Sequence, residues 1–164
     1  MTDQLPPMLA FSEVIPAPLA KVWEAWTTED GTRSFFAPEC RLELIPGGSY
    51  EMYFNLDSPV GEKGGEGCKI LAIDPPFMLS FTWNAPPELP AIRSQYTHVV
   101  IRLSAINESE TLVQLTHDGW GVTPEWKQGI AYFQSAWGES ASQVARQVYQ
   151  RSDGLAELSI SNRL

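Results

Sequence analysis

The chain has 164 residues, 43% of them hydrophobic and 19% charged, and a formal net charge of −9 at pH 7. This length is typical of one domain, and it supports an apolar core without help from a metal or a disulfide. Binding to phosphate backbones or to an anionic membrane requires clustered basic residues, whereas the 11 lysines and arginines are scattered singly. We therefore expect no nucleic-acid partner and no membrane partner.

The cysteines and the N-terminal segment indicate where the protein resides. Cys40 and Cys68 belong to no C-x-x-C motif, so we expect two free thiols that are buried or partly buried. Residues 1–7 lack the basic region and apolar run of a secretory signal peptide. Nowhere does the sequence approach the roughly 18 apolar residues of a membrane-spanning helix. These features predict a cytoplasmic protein.

The first quarter of the sequence predicts a strand followed by two short helices. Residues 8–15 form the strand, and Pro18 suits the first position of a helix over 18–27. Four apolar residues of that helix share one stripe, namely Leu19, Val22, Trp23 and Trp26. Thr27 or Thr28 caps a second short helix over residues 29–36.

From residue 39 the apolar period changes to two, which is typical of strands. Six runs follow one another with short polar connections, over residues 39–45, 49–55, 68–74, 75–85, 94–106 and 111–120. Such an order predicts an antiparallel meander with one apolar and one polar face.

A long amphipathic helix ends the pattern. Thr123 is suited to cap it and Pro124 to begin it, and it continues to about residue 150. Its apolar stripe consists of Trp126, Ile130, Phe133, Trp137, Val144 and Val148. We predict an α+β fold in which a curved antiparallel sheet of about six to seven strands wraps around this helix. The two short helices follow the first strand, the single domain spans 8–150, and residues 1–7 and 151–164 are tails.

A straight helix touches a curled sheet well over only part of its length, which leaves two alternatives for the aromatic half of this helix. Its large rings either fill the core or form the roof of a cavity, with Gly129 and Gly138 allowing a close approach. Under the cavity hypothesis, the candidate ligand-binding residues are Trp26, Phe36, Tyr50, Met52, Phe54, Phe81, Trp83, Val99, Ile101, His117, Trp126, Phe133 and Trp137.

Four segments in order resemble a known family: "IPAPLAKVWEAWT", "LIPGGSYEMYF", "GEGCKILAIDPPFMLSFTW" and "ETLVQLTHDGWG". Together they resemble the homologs of the activator of heat-shock protein ninety ATPase, within the START-related helix-grip superfamily. The resemblance implies an antiparallel sheet gripping a C-terminal helix around an apolar cavity. Related members bind lipids, hormones or polyketides, cyclise aromatic polyketides, or act as co-chaperones. One departure is the stretch "AYFQSAWGE", where family members often carry Gly-Trp earlier in the helix.

Motifs for catalysis are scarce. The sequence has no G-x-S-x-G, no phosphate-binding glycine motif and no H-E-x-x-H, so we expect neither a metal nor a cofactor. His117 is the one weak candidate for a catalytic acid or base, since its parity places it on the interior face. The alternative is a buried histidine bonded to the backbone or to Asp118. We expect His98 to face solvent.

Four other charged side chains are expected on the solvated surface, namely Glu51, Glu66, Arg93 and Arg102. The leading hypothesis is non-catalytic binding of an apolar or aromatic small molecule between the sheet and the C-terminal helix. One alternative is a co-chaperone or stress-response module that binds a protein partner or a second copy of itself. Another is a cyclase-like or hydrolase-like enzyme that uses His117.

Overall fold

The computed structural model describes residues 7–138. Its strands are β1 Leu9–Ile15, β2 Glu39–Leu42, β3 Tyr50–Tyr53, β4 Ile70–Asp74, β5 Met78–Trp83, β6 Thr97–Asn107 and β7 Glu110–Asp118. The helices are α1 Leu19–Thr27, α2 Glu29–Phe35, α3 Pro90–Arg93 and α4, whose described helical residues are 125–138. The C-terminal tail, the first six residues of the N-terminal one, Val144, Val148 and the helix end near residue 150 lie outside the described residues.

The strands form the predicted antiparallel meander. The main sheet has the order β1-β7-β6-β5-β4, and β2 and β3 form a separate two-stranded ladder. The two ladders meet at an isolated bridge between Ser49 and Lys69, where the Tyr50 amide donates to the Cys68 carbonyl over 2.9 Å. The α+β helix-grip fold is thus confirmed, although its main sheet has five strands. We expected six or seven, but the β3 and β4 sides are connected by the one isolated bridge between Ser49 and Lys69, so the ladder is interrupted there.

Helix α2 packs directly on the backbone of α1. The Thr28 hydroxyl accepts the Gly31 amide over 3.0 Å, so Thr28 rather than Thr27 is the N-cap. A Cβ atom at Gly31 would lie 2.2 Å from the Glu24 carbonyl oxygen and 2.7 Å from the Ala25 Cα. Glycine is required here because the two helices approach too closely for any side chain.

The core lies between the main sheet and α4. Alternating residues of the sheet are buried as predicted, namely Leu79, Phe81, Trp83, Val99, Ile101, Leu103, Val113, Leu115 and His117. Trp126, Phe133 and Trp137 on α4 are at most 3% exposed, so the stripe of this helix faces the core. The Tyr50 hydroxyl donates to the Trp26 carbonyl over 2.8 Å and thereby ties β3 to α1.

Three local features depart from the sequence expectation. Phe54 and Phe77 fall within the predicted strand runs 49–55 and 75–85, but they are 47% and 51% exposed. Each lies just outside its strand, in the segment after β3 or in the turn between β4 and β5, so alternation no longer applies. The segment before β6 also contains the short helix α3. Gly129 on α4 makes room for α3, since its Cβ would lie 2.6 Å from Ile92 Cδ1.

We expect Gly31→Ala to destabilise the protein by about 1–3 kcal/mol, because the added methyl group overlaps the α1 backbone. Urea unfolding monitored by circular dichroism measures the change. Asp30→Ala is the matched control: it alters the exposed neighbour in the same helix, and we expect a change within about 0.5 kcal/mol. Equal stability of Gly31→Ala and the natural sequence would contradict the close packing of α2 on α1.

Candidate functional site

A cavity of about 580 Å³ lies between α4, the loop after β3 and the segment after β5, and it is partly open to solvent. Five aromatic residues line it, namely Phe36, Phe54, Trp83, Tyr132 and Trp137. Its polar lining residues are Asn55, Ser58, Glu62, Lys63, Asn84 and Glu88. Small residues and prolines complete the wall, at Gly64, Ala85, Pro86, Pro87 and Ala136. The volume falls within the roughly 300–1,000 Å³ typical of small-molecule pockets.

Four of the five aromatic residues that line the cavity form one continuous wall. The Phe36 ring centroid lies 5.6 Å from that of Trp83 and 5.9 Å from those of Phe54 and Trp137. Trp83 and Trp137 are themselves 5.6 Å apart and almost fully buried. Phe54, by contrast, is 47% exposed. The wall therefore has a base fixed in the core and an accessible ring at its outer edge.

Arg93, at the end of α3, holds together the two segments that form the polar side of the cavity. It donates to the carbonyl oxygens of Ala85 over 2.5 Å, Gly61 over 2.6 Å and Gly64 over 2.9 Å. Its side chain is only 15% exposed. The expectation that Arg93 is a surface residue is therefore wrong: three carbonyl groups converge where only a multidentate donor satisfies them.

Glu66 is also half-buried rather than solvated. Its carboxylate accepts the Gly64 amide over 2.6 Å and the Lys63 amide over 3.0 Å, and it lies 3.4 Å from the Arg93 guanidinium. These bonds fix the loop after β3 from within. Its side chain is 20% exposed, and it lies outside the cavity wall.

His117 lies in a chain of hydrogen bonds that crosses the core. The Trp137 indole donates to His117 Nδ1 over 2.9 Å, and His117 Nε2 lies 2.6 Å from the Thr97 hydroxyl oxygen. An indole N–H only donates, so Nδ1 must be the acceptor and Nε2 must carry the proton. The Thr97 hydroxyl in turn donates to the Trp83 carbonyl over 3.1 Å. The chain thus joins α4, β7, β6 and β5.

This environment keeps His117 neutral. Burial lowers the pKa of its imidazole to about 3, and the charge of His98 contributes in the same direction. The ring is fully buried, both of its nitrogens are occupied, and it does not line the cavity. The interpretation of His117 as a buried structural residue fits these facts, but its partners differ from those expected. Asp118 instead lies 3.7 Å from the exposed His98.

The cavity brings together four of the thirteen candidate ligand-binding residues, namely Phe36, Phe54, Trp83 and Trp137. The other nine fill the interior behind it: Trp26, Tyr50, Met52, Phe81, Val99, Ile101, His117, Trp126 and Phe133. Both alternatives for the aromatic half of α4 therefore apply at different positions. Phe133 packs into the core, where its ring centroid lies 4.5 Å from that of His117, whereas Trp137 forms part of the cavity wall.

Sequence reasoning missed most of the polar lining. Asn55 ends the predicted strand run 49–55, Ser58, Glu62 and Lys63 lie in a glycine-rich loop that carries no periodicity, and Glu88 lies in a proline-rich segment. Tyr132 and Ala136 of α4 flank the apolar stripe rather than belonging to it. The only signal at the sequence level was the unusual composition of the two loops, which does not indicate what they face.

The cysteines and acidic residues of the described part of the chain form no metal site. Within residues 7–138, no group of three or more histidine, cysteine or carboxylate side chains is arranged to hold a metal ion. Cys40 and Cys68 are buried free thiols, and burial raises the pKa of Cys68 to about 12. Over the same range, no helix combines the length and apolar character needed to cross a membrane.

Solved structures with this helix-grip architecture include three bacterial proteins. Protein MLL2253 from Mesorhizobium loti has a TM-score of 0.70 and 17% identity, covering 88% of this chain and 98% of its own. The Aha1 dimer from Colwellia psychrerythraea has a TM-score of 0.67 and 19% identity, and the match covers 87% of this chain and 96% of the Aha1 chain. CalU16 from Micromonospora echinospora has a TM-score of 0.62 and 19% identity, and the match covers 92% of this chain and 87% of the CalU16 chain. At these identities the likeness establishes the fold alone.

The sequence itself identifies the family. Residues 16–148 match the family described as Activator of Hsp90 ATPase homolog 1-like protein, which covers most of the 164-residue chain. The protein therefore belongs to this family, as the four quoted segments indicated. No curated protein matches the chain significantly.

We expect the stability of the protein to depend on pH through His117. Below pH 6.5 the unfolded chain protonates this residue, whereas the folded ring stays neutral down to about pH 3. Acidification therefore favours the unfolded state, by up to about 1.4 kcal/mol per pH unit between 6.5 and 3, and this contribution is constant above pH 6.5. Urea unfolding at a series of pH values measures the slope.

Between pH 6.5 and 5, above the range in which most carboxylates titrate, the slope is diagnostic. His117→Gln should flatten it there, and His98→Gln, which alters the exposed histidine, should retain it. A slope that persists in His117→Gln would show that another group is responsible.

We expect Arg93→Lys to loosen the polar side of the cavity, since a single ammonium cannot reach three separate carbonyl oxygens in the same geometry. Stability should fall by about 1–3 kcal/mol, and the Gly64 amide should exchange with deuterium faster. Arg102→Lys, on the exposed face of β6, is the control and should change neither quantity. Unchanged exchange at Gly64 in Arg93→Lys would rule out this role of Arg93.

Proposed function

We propose that this protein binds an apolar or aromatic small molecule, non-covalently, in the cavity between α4 and the loops after β3 and β5. The observation that carries the proposal is the aromatic wall, which combines fixed rings at Trp83 and Trp137 with the half-exposed ring of Phe54. A large exposed ring on a loop costs hydrophobic free energy unless something covers it. A ligand of aromatic or alicyclic shape would supply that cover.

The proposal includes no proton transfer by His117. That ring stands behind the cavity wall with both nitrogens engaged by Trp137 and Thr97. The polar side of the cavity instead contains solvent-accessible groups such as Asn55, Ser58 and Glu62, which suit orientation of a bound molecule. Binding without chemistry is therefore the function that this arrangement supports best.

A role as an interaction module is the second candidate. Leu56 and Val60, in the loop after β3, are 48% and 93% exposed beside the half-exposed Phe54. The family description refers to an ATPase activator, and the protein from Colwellia psychrerythraea is a dimer. If self-association uses this loop, light scattering will give a dimer mass that Val60→Asp reduces to that of a monomer.

The proposed compartment is the cytoplasm, because Cys40 and Cys68 are free thiols.

We expect Ala136→Trp to block ligand binding, because Ala136 lines the cavity and an indole at this position would occupy much of its volume. The measurement is titration with the neutral fluorescent probe N-phenyl-1-naphthylamine, which emits strongly in apolar sites. The natural sequence should bind about one probe per chain, and Ala136→Trp should weaken binding by about tenfold or more.

Gln134→Trp is the matched control, since it adds the same side chain to the exposed face of the same helix. It should bind the probe like the natural sequence. Failure of the natural sequence to bind, or equal binding by Ala136→Trp, would refute the proposed site.

A further inference from the structure

Three charged residues line the cavity, and their side chains are not neutralised by neighbours. Glu62 and Glu88 contribute two negative charges and Lys63 one positive charge, so the net charge of the lining is −1. Within residues 7–138, none of the three belongs to an ion pair. The nearby Glu66, by contrast, forms an ion pair with Arg93. Two carboxylates are therefore available to a bound molecule.

The aromatic side of the cavity has the same electrostatic preference. The face of an aromatic ring carries negative potential, and it attracts ammonium groups that lie over it. Phe54 and Tyr132, which both line the cavity, are 47% and 45% exposed, so parts of their surfaces are accessible to a ligand.

The net charge of the whole chain also favours a cationic ligand. Its net charge of −9 produces a field that repels anions from a partly open site and attracts cations. Lys63 opposes this locally, but two carboxylates share the lining with it. An anionic ligand would therefore find one favourable partner among several unfavourable ones.

We infer that the ligand of this cavity is an amphipathic cation. Its ring-shaped apolar body packs on Phe36, Phe54 and Trp83, and its protonated or quaternary amine is directed towards Glu62 and Glu88. This inference rests on the proposed function and specifies the chemical class of the ligand.

The test is displacement of N-phenyl-1-naphthylamine by three compounds that share one apolar body. These are 1-naphthylmethylamine, which is a cation at pH 7, the neutral 1-naphthylmethanol and the anion 1-naphthoate. The amine should compete about fivefold to tenfold better than the alcohol, and the anion should compete least. Added salt should reduce the advantage of the amine and leave the alcohol unaffected.

Two variants and one control connect this preference to the residues. The double variant with Glu62→Gln and Glu88→Gln should lower the preference for the amine to about twofold or less, measured as the ratio of amine to alcohol competition on the same variant. Glu108→Gln removes one negative charge from the exposed turn between β6 and β7, and it should retain the full preference. Lys63→Gln should increase the preference for the amine.

The possible results separate the two levels of the proposal. If the alcohol competes as well as the amine, or the anion competes best, the inference about charge is overturned and apolar binding in the cavity stands. If the double variant retains the full preference, Glu62 and Glu88 are not its source and the inference is likewise overturned. If N-phenyl-1-naphthylamine itself does not bind the natural sequence, the proposed function fails first and the inference fails with it.

Discussion

The hydrogen-bond chain from Trp137 through His117 and Thr97 to the Trp83 carbonyl is the interaction on which the rest of the structure depends. It links the C-terminal helix to three neighbouring strands inside an apolar core. Each donor in the chain has an acceptor, so the buried imidazole, hydroxyl and indole do not incur the cost of unsatisfied burial. Because an indole can only donate, the direction of the whole chain is set by one tryptophan.

That chain also determines where the cavity lies. It holds the ring of Trp137 in place and fixes the backbone of β5 at Trp83, so the base of the aromatic wall cannot move independently of the core. Behind this base the interior is filled, with Tyr50 stacked on Phe81 at a centroid distance of 4.3 Å. The cavity lies at the margin of this packing, where the loops after β3 and β5 face the helix.

The fold and the chemistry of the site consequently depend on different parts of the chain. Membership in the family and the helix-grip architecture follow from the segments and from the meander that they form. The chemistry of the cavity depends instead on two loops, and one fold accommodates many activities through such loops. In this protein Arg93 holds the two loops together through backbone carbonyls, so this contact does not use the side chains that line the cavity.

The sequence by itself determined the alternation that buried Val99, Ile101 and His117 and the helical stripe that buried Trp126, because both patterns depend only on local periodicity. It did not determine which rings border an empty space, since that depends on the relative position of elements distant in the chain. Trp137 and Trp126 occupy equivalent positions in the stripe, yet of the two only Trp137 lines the cavity. Arg93 illustrates the same limit: a charged residue beside a proline-rich segment indicates a surface position, and only the tertiary structure brings three carbonyl oxygens around it.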